Sequence, residues 1–162
     1  MNSYFLLDSC IVEYYLNKKY SAQIQSILQG WQKNTFKLAI SQIIFSELID
    51  GAYIQKENVV ISTLKMYHNF SVTERHIIGS GKLGSIYQQN NITQNISLAD
   101  KIIAATSIIS NSPIITANIN DYPQPYFGVI DSHVLSYKDK VIKIGLLKPD
   151  YTVINSAFAE RK

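Results

Sequence analysis

Apolar residues along this chain fall into two rhythms, short unbroken runs and stripes spaced three or four apart, and the two alternate. Tyr4 to Leu7 is an unbroken run ending at Asp8, the pattern of a short buried strand, and a helical spacing begins around Ser9. Ile24, Ile27, Leu28 and Trp31 share one face and predict a helix from about Ser21 to Lys33, followed by a strand over Phe36 to Ile40. Ser41 then stands as the N-cap of a helix striped by Ile43, Ile44, Leu48, Ile49 and Ala52, with Glu47 on the shoulder of that stripe. A helix over about Val59 to His68, a strand over Phe70 to Thr73 and a helix over Glu74 to Gln89 are predicted next, the last weakened by Gly79, Gly81 and Gly84. Beyond the polar linker Asn90 to Asn95, Ser97 to Ser110 carries the clearest helical pattern. It has a serine cap, Asp100 at the third helical position and apolar residues nearly all round. Pro113 to Ala117 reads as a buried strand, a polar loop holds Asn118, Asn120 and Asp121, and Phe127 to Ile130 reads as a last core strand.

Strands alternating with helices predict a three-layer α/β/α sandwich around a central parallel sheet of about five short strands. The expected division is residues 1–130 as the sandwich and residues 131–162 as an extension packed on the core or on a second copy. In that tail Lys138, Lys140, Lys143 and Lys148 surround an alternating apolar stretch, Val141 to Leu147. The 162 residues are 46% hydrophobic and only 17% charged, against roughly 25% in an average globular protein, which favours one well-buried domain that self-associates. A net charge of +3 permits an anionic partner without requiring one. The longest apolar stretches fall far short of the ~20 residues that cross a bilayer, so neither a span nor a signal peptide is expected. Cys10 is the only cysteine, which rules out an intrachain disulfide or a cysteine zinc site and suits a cytoplasmic location.

Sites in open parallel sheets lie beyond the carboxyl ends of the strands, and that rule sorts the acids. Asp8 closes the first strand, Asp121 follows the strand Pro113 to Ala117, and Glu47 and Asp100 lie near the starts of helices beside those strand ends. Clustered carboxylates repel one another unless a cation neutralises them, and oxygen ligands suit hard ions such as Mg²⁺ or Mn²⁺. Such an ion activates water against a phosphodiester, so the chemistry implied is phosphodiester hydrolysis. Each acid also has a purely local explanation. Asp8 could cap a helix, Ser97 to Asp100 has capping-box spacing, and Asp121 suits a turn. Glu47 is the hardest to explain locally, because the edge of an apolar stripe desolvates it.

The chain here resembles PIN-domain nucleases, and by pattern the VapC-like ribonuclease toxins among them. The resemblance rests on Phe5-Leu6-Leu7-Asp8-Ser9, on Ser41-Gln42-Ile43 with Glu47-Leu48 and Gly51, on Asp100 with Ile103-Ala104-Ala105, and on Thr116-Ala117-Asn118 with Asp121-Tyr122. It runs over residues 3 to 130 and implies a PIN-like sandwich with Mg²⁺- or Mn²⁺-dependent endoribonuclease activity on RNA. It also implies a homodimer and inhibition by a cognate antitoxin. Asp8, Glu47, Asp100 and Asp121 match the family's acidic quartet, with Thr116 and Asn118 lining the site and Ser9 helping to position water or metal. Cys10 stands where the family more often has a small polar residue, the tail runs past the family's usual end, and basic residues are sparse for an RNA groove.

Other signals carry less. Gly79-Ser80-Gly81-Lys82-Leu83-Gly84 matches G-x-G-x-x-G but lacks the preceding strand a dinucleotide site needs, so small residues letting a helix approach the sheet explain it better. His68, His76 and His133 lack ligand spacing, the three sequons beginning at Asn69, Asn91 and Asn95 suit chance in an Asn- and Ser-rich chain, and for Tyr14, Tyr15 and Tyr53 packing or a dimer contact is as good an explanation as stacking on bases. A haloacid-dehalogenase-type phosphatase needs a second acid where Cys10 stands. The competing class is a non-catalytic PIN-like binding module whose acids only cap helices and form turns, acting through protein partners.

Overall fold

The computed structural model describes residues 3–32, 36–52, 56–92 and 94–160. Predicted features at Lys33, Tyr53 and Thr93 lie outside them. The elements in chain order are β1 (Tyr4–Leu7), α1 (Ser9–Leu16), α2 (Ser21–Trp31), β2 (Lys37–Ser41), α3 (Ile43–Asp50), α4 (Glu57–Leu64) and β3 (His68–Phe70). They continue as α5 (Glu74–Gln89), α6 (Leu98–Ser110), β4 (Ile114–Thr116), a 3-10 turn at Ile119–Asp121, β5 (Phe127–Tyr137), β6 (Lys140–Pro149) and α7 (Tyr151–Ala159). No described helix is long and apolar enough to cross a membrane.

The strands form one sheet in the order β3-β2-β1-β4-β6-β5. The first four are parallel, whereas β6 runs antiparallel to β4 and β5 antiparallel to β6. α1 packs on α2 and α3, α3 on α4, and α5 on α6, the two-faced grouping that right-handed crossovers give a sheet of this strand order. α7 joins α6, its Tyr151 hydroxyl donating to the Ile108 carbonyl (3.0 Å). Leu6, Leu7, Ile40, Ile114 and Ile115 are fully buried, which explains why the central strands read as unbroken apolar runs.

Several boundaries differ from expectation. The last stretch is not a short parallel core strand: β5 continues from Phe127 through residues 130 and 131 to Tyr137, and β6 inserts between β4 and β5. Ile144, Leu146 and Leu147 are buried there, so the apolar tail stretch belongs to the sheet itself. A two-residue turn with Lys138 at φ 52° lets the hairpin form, and alternation along β6 gave no hint of its neighbour. Ser41 is the last residue of β2 rather than a cap: it is fully buried, and its hydroxyl accepts from Thr106 of α6 (3.2 Å). The helix predicted through His68 stops at Leu64, and the third strand spans His68–Phe70 rather than Phe70–Thr73, because parallel pairing with β2 and stacking of Tyr4 on His68 (4.5 Å) override the helical spacing. Gly79 and Gly84 of α5 face α6 rather than the sheet, and Gly81 faces open space. A Cβ on Gly79 would stand 3.3 Å from the Ala105 Cβ, and one on Gly84 3.4 Å from Lys101 Cδ.

Candidate functional site

The β1 register sets the site. Leu7 pairs with Ile40 on one side and Ile115 on the other, so Asp8, one residue further, emerges at the carboxyl edge between Ser41 and Thr116. Its backbone N–H donates to the Ile115 carbonyl (3.0 Å) and its side chain is 1% exposed. Thr116 Oγ1 donates to Asp8 Oδ2 (2.6 Å), the Ser9 N–H to Oδ1 (2.7 Å), and the Cys10 thiol lies 3.6 Å from Oδ2. Thr116 is held in turn by the Asn118 N–H (2.8 Å). Asp8 is therefore both the cap of α1 and a fixed, buried carboxylate at the site.

Glu47 reaches the same edge from the second turn of α3, and Asp100 from the first turn of α6. Asp121 ends the 3-10 turn after β4. Asp8, Glu47 and Asp100 are close enough to act on one another, and Asp121 is linked to them through Asp100. Burial, then the charge of Asp100, pushes Asp8 up to about 6 despite the Thr116 and Ser9 hydrogen bonds. Burial, then Asp8 and Asp100, pushes Glu47 up to about 7, with Ser9 opposing and Glu13 adding to the rise. Asp121 is raised by burial and by Asp100. Each of these three would lower its free energy by taking up a proton or by gaining a cation.

Asp100 also closes a capping box. Ser97 Oγ donates to its Oδ2 (2.6 Å), the Ser97 N–H to the same oxygen (3.3 Å), and the Asp100 N–H to Ser97 Oγ (3.0 Å). These contacts use one carboxylate oxygen and leave Oδ1 for another partner. Asn118 is exposed, and its backbone is what anchors Thr116; Ser9 is half-buried, its hydroxyl 3.4 Å from Asp8 Oδ1.

Two further residues belong to the site. Cys10 accepts the Ala117 N–H (3.3 Å) and lies 3.7 Å from Thr116 Oγ1, and burial beside Asp8 pushes its thiol far up, so it stays protonated and packs as a small apolar group. Tyr122 is 1% exposed, and burial and then the charges of Asp8 and Asp100 drive its hydroxyl well above its ordinary range. Among the described residues neither the Tyr122 hydroxyl nor Glu47 Oε2 has a hydrogen-bond partner, although both atoms are buried. The sequence held a signal for each, Cys10 two residues after Asp8 and Tyr122 directly after Asp121.

Among the described residues no three His, Cys, Asp or Glu side chains stand close enough together to hold a metal ion. The donor set nevertheless fits a hard divalent ion. It consists of carboxylate oxygens that repel one another, one of them buried and unpaired at Glu47, with no patterned histidine or second thiol to draw a softer metal.

No protein-family profile matches this chain, and no curated protein matches it in sequence. Solved structures do match. A toxin–antitoxin complex from Klebsiella pneumoniae is 22% identical with a TM-score of 0.59, covering 75% of this chain and 92% of that one. VapBC2 from Rickettsia felis, solved bound to a DNA fragment from its promoter, is 23% identical with a TM-score of 0.59, over 74% and 90%. VapBC-1 from nontypeable Haemophilus influenzae is 20% identical, again at 0.59, over 74% and 90%. The chain thus has the PIN-like α/β/α fold of these VapC-type neighbours.

Proposed function

We propose that this protein is a metal-dependent endoribonuclease, the toxin of a toxin–antitoxin pair. The observation that carries the reading is the convergence of Asp8, Glu47, Asp100 and Asp121 on one sheet edge, three of them held above their ordinary pKa range by burial and one another, with a buried carboxylate oxygen left unpaired. These residues would hold Mg²⁺ or Mn²⁺, which supplies Lewis-acid polarisation of a phosphodiester and an activated water. Thr116 fixes the Asp8 carboxylate, Asn118 fixes Thr116, and Cys10 and Tyr122 exclude bulk water beneath it. Solved neighbours that are toxin–antitoxin complexes support a cognate antitoxin as partner. Exposed Val129, Ile130, Val134 and Val141 on the outer hairpin suit a homodimer.

The reading is tested by incubating the protein with structured and single-stranded RNAs in Mg²⁺ or Mn²⁺, with and without EDTA. Cleavage that EDTA abolishes supports it, and intact RNA under every condition rejects it. The capping contacts of Asp8 and Asp100 favour the competing reading, a non-catalytic module, and the same assay separates the two.

A further inference from the structure

The β5–β6 hairpin outruns the sheet. β4 ends at Thr116, which pairs with Gly145, so residues 140–144 of β6 pair with β5 alone and extend about 16 Å past that level at ~3.3 Å per residue. Thr116 is the residue that grips Asp8, so the overhang leaves the sheet at the edge carrying the acids. Its tip meets the corner between α1 and α2. The Tyr20 and Tyr137 rings meet edge to face at 6.0 Å, and Lys19 Nζ and Lys138 Nζ lie 5.4 and 5.8 Å from the Tyr137 centroid. Lys18, Lys19, Lys138 and Lys140 are all exposed at this corner, and among the described residues none is ion-paired.

The distribution of charge is lopsided. Removing these four lysines and Asp139 from the chain's fifteen basic and twelve acidic residues leaves eleven of each. Together the four lysines and Asp139 give this corner a local charge of +3. Lysines scattered to keep a surface soluble need not gather in this way on two segments more than a hundred residues apart.

We propose that this corner is a backbone-gripping platform for single-stranded RNA, holding phosphates upstream or downstream of the bond presented to the acids. This rests on the nuclease reading for the identity of the anion. Unpaired lysines on flexible stems suit sequence-independent phosphate contacts. Because Lys19 and Lys138 already cover the Tyr137 ring, that ring is not open to a base, and the grip is electrostatic.

The test is fluorescence anisotropy of a labelled twelve-nucleotide RNA in EDTA, at several salt concentrations, comparing the wild type with the triple variant Lys19→Ala, Lys138→Ala, Lys140→Ala. The variant is expected to bind at least about tenfold more weakly at low salt. Its log K against log[salt] slope should be shallower by about 2, since each phosphate contact on a single strand contributes roughly 0.7. Replacement of the same three by Arg should restore both, and an unchanged Tm shows that the fold persists. Equal affinity and slope in wild type and variant, or no RNA binding by the wild type, overturns the platform; retention of an acidic protein instead of RNA would do so too. Metal-dependent cleavage of a dinucleotide, too short to reach the lysines, should be the same in wild type and variant. If no cleavage occurs yet the lysine variant loses RNA binding, the nuclease reading fails and the platform stands.

Discussion

Asp8 shows how one residue satisfies a local rule and a site at once. It caps α1 through Oδ1 and is gripped by Thr116 through Oδ2, and the cap was as legible in the sequence as the strand end. What sequence could not give was the degree of burial, which makes the ionised form costly. With folded-state values of about 6 for Asp8 and about 7 for Glu47, both above their ordinary values of 3.8 and 4.5, the folded state binds more protons than the unfolded one in between. Stability should therefore fall as pH rises from about 4 to 7, by on the order of 3 kcal/mol for the nearly fully buried Asp8. Differential scanning calorimetry across that range checks this, and a flat profile would contradict it. A divalent ion binds the deprotonated acids, so Mg²⁺ or Mn²⁺ should raise Tm more at pH 8 than at pH 5.5. At Asp100 two roles compete. A residue serving only the cap would cost roughly 0.5–1 kcal/mol on Asp100→Asn, but relief of repulsion at the site should leave the variant as stable as wild type or more so while cleavage falls. Thermal unfolding paired with the cleavage assay distinguishes them, and lost stability with full activity assigns Asp100 to the cap alone. For Tyr122→Phe, which deletes a buried hydroxyl without a partner in the described residues, unchanged or higher stability to urea unfolding is expected; a loss of more than about 1 kcal/mol would show that the hydroxyl is satisfied in solution.

The elements around the acids were legible where the rhythm of the chain was local. The strands Tyr4–Leu7 and Ile114–Thr116 and the helix after Ser97 lie close to where periodicity put them, because both strand faces are buried and the helix has its own capping box. Most of the failures involve partners distant in sequence. Ser41 answers to Thr106, His68 to Tyr4 and β2, and β6 to β4 and β5, and no spacing within a window reports such pairings. Gly145 makes this concrete. It sits opposite Thr116 under the turn that carries Asp121, and a Cβ there would stand 2.9 Å from Leu147 Cδ1 and 3.0 Å from both Ile119 Cδ1 and Cγ1. Gly145→Ala should push Ile119 and its turn outward, cost about 1–3 kcal/mol and reduce activity together. Urea unfolding and the cleavage assay would record this, and a fully active, equally stable variant would show that the turn adapts freely.

Across the whole molecule the order of strands decides where chemistry can occur. Parallel β1, β2 and β4 bring their carboxyl ends to one edge, α3 and α6 add Glu47 and Asp100 there, and the antiparallel hairpin brings Lys138 and Lys140 past the same edge to join Lys18 and Lys19. The outer strand β5 is sealed in part by α2. Gln23 exchanges two hydrogen bonds with the Ser136 backbone (2.8 and 3.0 Å), and Trp31 donates to Asp131 (2.8 Å), which blunts an edge that could otherwise pair at random. A low net charge had hidden the basic corner, because composition averages what topology gathers. The account stands most directly on one comparison: RNA cleavage by wild type and by Asp8→Asn, both shown folded by circular dichroism, in Mn²⁺ or Mg²⁺ and in EDTA. Loss of at least about 10²-fold in the variant, and of all wild-type cleavage in EDTA, is predicted. Wild-type rates in a folded Asp8→Asn protein, or cleavage indifferent to EDTA, would contradict it.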